Sequence, residues 1–94
     1  MNAEDITLNI AVNLGRLSRW AQEGKKARIN QFLIETQEYI DKLDNTKVKP
    51  KFKKTLDTFK TNFTRLKRCS DYDYDWAEQV LTWANILTHR AKLA

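Results

Sequence analysis

Glycine and proline are almost missing from this chain, which has two of the first and one of the second in 94 residues. A β-sandwich or barrel of this size turns every ten or so residues and draws on Gly, Pro, Asn and Asp to do it. That class is therefore excluded, and an all-α fold is expected. Cys69 is the only cysteine. It has no partner for an internal disulfide, and such sparse cysteine usage points to a cytoplasmic protein. No apolar run approaches the roughly 20 residues that a membrane-spanning helix requires. The segment Met1-Asn2-Ala3-Glu4-Asp5 is acidic where a secretory signal would be basic. No membrane partner is expected. His89 is the only histidine, so a His/Cys metal cluster cannot be assembled. No glycine-rich phosphate loop is present either. No metal, cofactor or catalytic site is expected, and the chain reads as a non-enzyme.

What remains is a globular composition. Apolar residues make up 41% and charged residues 31%, with three Trp, three Tyr and four Phe to fill a core. The length fits one domain, residues 1–94. Periodicity divides it into four helices, over about residues 3–23, 26–43, 49–67 and 73–92. Ile6, Ile10, Leu14, Leu17 and Ala21 form the stripe of the first, and Gly24 supplies its stop. Ile29, Phe32, Leu33, Thr36, Tyr39, Ile40 and Leu43 mark the second. Phe52, Leu56, Phe59, Phe63 and Leu66 mark the third, with Pro50 in its first turn. Trp76, Val80, Trp83, Leu87 and Ala91 mark the fourth, where Asp75-Trp-Ala-Glu78 has the form of a capping box. Four helices of similar length with short connections predict an up-down-up-down bundle. Leu8, Val12, Leu81 and Ile86 lie beside these stripes on helices one and four. They either widen the core or expose an apolar patch suited to a homodimer.

Several short motifs carry chemistry elsewhere, and each is incomplete here. The run Asp71-Tyr-Asp73-Tyr-Asp75 opens like a calcium loop, but Trp76 and Thr82 occupy its glycine and glutamate places. Asn13-Leu14-Gly15 followed by Ala27 resembles the helix-hairpin pattern of tetratricopeptide repeats, over a single hairpin. Asn85 and His89 resemble part of the arginine–polar–x–x–x–histidine motif of HEPN ribonucleases. Ala84 stands where that motif has its arginine, which removes the cation such a site uses on phosphate. Cys69 adjoins Lys67 and Arg68 but has no base to activate it. Glu35 and Glu38 sit on a solvated face. Trp20, Tyr72 and Tyr74 lie off the stripes or near a turn and are the aromatics expected to be exposed.

The strongest signal is uneven charge. The net charge is +5, but residues 47–70 alone carry nine cations against Asp57. Residues 1–46 hold six cations and seven acids, and residues 71–94 two and four. The imbalance fits either a solvated face whose lysine stems cover the core edge or an anionic partner; solvated faces usually mix signs, which favours the partner. In an up-down bundle the turn before helix three and the end of helix four share one end. The candidate anion-binding residues are therefore Lys47, Lys49, Lys51, Lys53, Lys54, Lys60, Arg90 and Lys92. At the other end Arg65, Lys67 and Arg68 face Asp71, Asp73, Asp75 and Glu78, which are expected to offset them. The expected function is a binding module contacting RNA or DNA through phosphates. The alternative is an adaptor or homo-oligomeric scaffold for an acidic protein. No groove-reading motif is present, so sequence specificity is not expected.

Overall fold

The computed structural model describes every residue from Met1 to Ala94. Four helices follow in order: α1 (Ala3–Glu23), α2 (Lys26–Asp44), α3 (Pro50–Lys67) and α4 (Tyr74–Arg90). A 3₁₀ turn over Ala91–Leu93 ends the chain's regular structure, and there are no strands. The helices share one long axis in a body of 36 × 19 × 19 Å. This is the all-α four-helix bundle that the stripes predict, and no helix in it is long and apolar enough to cross a membrane.

Local chemistry sets the helix ends. Asn2 caps α1, its Oδ1 accepting from the Asp5 N–H at 2.8 Å. Gly24 closes α1 at φ 71°, a left-handed conformation that L side chains avoid. Pro50 opens α3, where its missing N–H costs nothing. Asp73, rather than Asp75, caps α4, its Oδ1 accepting from the Trp76 N–H at 2.9 Å. Asp75 instead lies in the first turn, favourably placed against the helix dipole.

The four stripes meet in one core that contains Ile10, Leu14, Ile29, Ile40, Phe52, Phe59, Phe63, Trp76 and Leu87. Its edges are less regular than the sequence suggests. Trp20, expected to be exposed, is buried, with its ring edge-on to Phe32 at 4.7 Å. Trp83, expected inside, is half-buried and rests on Phe59 at 5.4 Å. Leu8, Val12 and Leu81 are exposed, and Ile86 is half-buried.

The helix pairs differ in how closely they approach. α1 lies nearest to α4, then to α2. The α1–α4 seam is built from small residues: Ser18 Oγ donates to the Ala77 carbonyl at 2.9 Å inside it. Seven-residue steps from that bond, in opposite directions along the two helices, lead to Ala11 and Ala84, both buried. α3 meets α4 through rings instead, and Trp76 Nε1 donates to the Leu66 carbonyl at 3.0 Å across that pair. Two further features of α1 stand out. Asn13 is buried with its Nδ2 unpartnered. Gly15, mid-helix, weakens α1 by about 1 kcal/mol relative to alanine, yet a Cβ there would meet nothing within 4 Å.

Candidate anion-binding surface

α3 turns one face to the core and the opposite one to solvent. Phe52, Thr55, Leu56, Phe59, Phe63 and Leu66 are buried. Lys51, Lys53, Lys54 and Arg65 are exposed, while Lys60 and Lys67 flank the buried face on the side toward α2. The long stems of the flanking lysines cover the edge of the core while their ammonium groups reach water or a partner. Lys67 is an instance: its Nζ lies 5.5 Å from the Phe63 ring centre and donates to Gln37 Oε1.

Ion pairing leaves this helix almost untouched. The protein contains two ion pairs, Lys25–Glu23 at 3.2 Å and Lys60–Asp44 at 2.8 Å. Of the nine cations between residues 47 and 70, only Lys60 has a carboxylate partner. Exposed pairs of this kind contribute about 0–1 kcal/mol, so stability does not explain the accumulation of charge.

The eight sequence-predicted residues do not form one cluster. Lys47, Lys49 and Lys92 come together around a cavity of about 360 Å³, with Val48 and Pro50 in its wall and Glu4 at its rim. The Lys49 N–H, donating to the Ala94 oxygen at 3.1 Å, fastens this loop to the end of the 3₁₀ turn. Lys51, Lys53 and Lys54 stand exposed on the first turns of α3. Lys60 is tied to Asp44 on α2. Arg90 is turned toward α3, where its Nη1 donates to Thr55 Oγ1 at 2.8 Å. Lys60 and Arg90 thus each hold a protein partner that an incoming anion would have to displace.

The opposite end of α3 carries a second site that the sequence reading discounted. Thr61, Thr64, Arg65 and Arg68 line an open cleft of about 520 Å³ with no apolar residue in its wall. None of Asp71, Asp73, Asp75 or Glu78 pairs with these arginines. Arg65 donates instead to Asn62 Oδ1 at 2.8 Å and Gln79 Oε1 at 3.1 Å, both neutral. The signal was present in the spacing, because residues 61, 64, 65 and 68 recur at helical intervals and share one face. Hydroxyls beside guanidinium groups make a usual phosphate-binding pairing.

The other candidates stay isolated. His89 and Asn85 are exposed on α4. Cys69 is half-buried, its thiol 3.6 Å from the Arg65 carbonyl oxygen. No three His, Cys, Asp or Glu side chains converge as a metal site. Tyr74 is 70% exposed, whereas the Tyr72 hydroxyl donates to Asn30 Oδ1 at 2.9 Å. Comparison with protein-family models, curated proteins and solved structures finds no match to this chain.

Proposed function

We propose that this chain is a non-catalytic accessory module that binds RNA or DNA through its phosphates along α3. One observation carries the reading: a helix with a single acid holds six cations, five of them without a carboxylate partner. Unpaired cations on a rigid helix lose little on meeting phosphate, because no internal ion pair has to break. Lys47, Lys49 and Lys92 extend the surface past one end of α3, and Arg68 extends it past the other, beside Thr61 and Thr64 of the last turns. Binding of this type is insensitive to base sequence.

Fluorescence anisotropy with labelled single-stranded RNA and duplex DNA, across a salt series, tests the proposal. Log affinity should fall with log salt by about 0.9 per phosphate contact on duplex and about 0.7 on a single strand. Changing Lys49, Lys51, Lys53 and Lys54 together to Glu should abolish binding while leaving the helical melt intact, because all four are exposed. Arg65→Glu with Arg68→Glu should weaken binding less, having removed fewer contacts. Lys60→Gln should change little, since Asp44 already neutralises that charge. Absence of binding to both nucleic acids at low salt would eliminate this reading. The basic helix would then be a solvated face, and an adaptor for an acidic protein would become the leading function.

A further inference from the structure

On the far side of the bundle from α3, the outer face of the α1–α4 pair exposes three apolar side chains among polar residues and charges that cancel. Val12 is 52% exposed there, Leu8 38% and Leu81 37%. Between them lies Gly15, with open space where its side chain would be. No contact inside the chain accounts for a glycine at this point of a 21-residue helix.

Charges mark the corners of this face. Glu4 and Lys92 sit at one end, where both line the same cavity. Arg19 and Glu78 sit at the other, each next to the Ser18–Ala77 hydrogen bond. The signs therefore alternate around the rectangle, with an acid then a base along α1 and the reverse order along α4. A two-fold axis lying in this face, across the helices, would lay α1 antiparallel on its own copy. Such an operation puts each Glu4 opposite an Arg19. In the same register, Leu8 of one copy stands over Gly15 of the other, a large side chain above a position with none. Val12 falls close to the axis. The face is thus complementary to itself in both charge and shape, as a closed two-fold interface requires. Of its charges only Lys92, which also borders the Lys47–Lys49 cavity, belongs to the phosphate-binding surface.

We propose that the α1–α4 face binds a second copy of this chain, through antiparallel α1 helices centred near Val12. Sedimentation equilibrium of the full chain, from low to high micromolar concentration, should show a reversible monomer–dimer equilibrium. Gly15→Gln should yield a monomer whose melting temperature, compared at a concentration where the parent is also monomeric, is not lowered, because the new side chain meets nothing within the subunit. Glu4→Arg and Arg19→Glu should each raise the dissociation constant roughly tenfold, since a two-fold counts every substitution twice. The two changes combined should restore dimerisation. A variant with Lys51, Lys53 and Lys54 changed to Glu, none of which lines the cavity shared by Glu4 and Lys92, should dimerise like the parent, which separates this surface from the phosphate-binding one. A parent that stays monomeric throughout overturns the proposal. So does a dimer indifferent to Gly15→Gln, or a double charge reversal that fails to recover.

Discussion

α1 packs against α4 through Ala11, Ser18, Ala77 and Ala84, whereas α3 packs against it through Phe59, Trp76 and Trp83. Small residues bring two backbones close and leave little volume to adjust. Rings hold the partner helix further off and bury more apolar area per side chain. The outer faces differ in a parallel way. α1 shows solvent Leu8, Val12 and Gly15 between charges of both signs, while α3 shows a nearly continuous field of cations. A helix bearing that many like charges gains little from its own sequence. Its attachment must come from Phe52, Phe59 and Phe63, all essentially free of solvent. The bundle thus anchors its most cationic helix with the three largest of its fully buried side chains.

That contrast can be broken at several points. The largest effect is expected from Phe59→Ala, which should destabilise the fold by about 3–5 kcal/mol. Trp83→Ala should cost less, about 2 kcal/mol, because half-burial removes less area from water. Thermal melts followed by circular dichroism measure both, and equal losses would show that Trp83 is as central as Phe59. Next comes Ala84→Leu, which overfills the close seam and should cost about 1–3 kcal/mol. The same melt would show no loss if the α1–α4 pair could simply separate. The smallest shift is a gain. Asn13→Leu removes an unpartnered buried amide and should stabilise the protein by about 1 kcal/mol, the lower range for such a group. A destabilised Asn13→Leu variant would mean that the amide does more than occupy space.

Much of this architecture could be read from spacing alone, because Phe52, Phe59, Phe63, Trp76 and Leu87 recur with helical period and are large enough to require burial. The stop at Gly24 and the start at Pro50 were equally plain, since each depends on its own backbone chemistry. Legibility ended where burial depends on a neighbour. Thr7, Ala11 and Ser18 on one flank of α1, and Asn13 and Trp20 on the other, are buried because helices close in from both sides. None of them lies on the stripe of Ile6, Ile10, Leu14, Leu17 and Ala21. The cap of α4 was misplaced by two residues because Asp73 and Asp75 offer the same chemistry, and only the turn geometry selects between them. For the charged surface, counting found the excess on α3. It could not find that Asp44 takes Lys60, that Thr55 holds Arg90, or that Asp71, Asp73 and Asp75 leave Arg65 and Arg68 alone. Those outcomes follow from helix register across pairs.

The half-covered indole of Trp83 also makes the molecule its own optical probe. Trp20 and Trp76 are buried, so a quencher dissolved in water reaches chiefly the third ring, which stands beside Phe59 on the α3 side of α4. The surrounding field concentrates anions and repels cations. Iodide should therefore quench the accessible emission more strongly than caesium at equal low ionic strength. The difference should shrink as added salt shortens the Debye length, which is about 10 Å at 0.1 M. The ratio of the two quenching constants would then report the local potential beside α3 without any label.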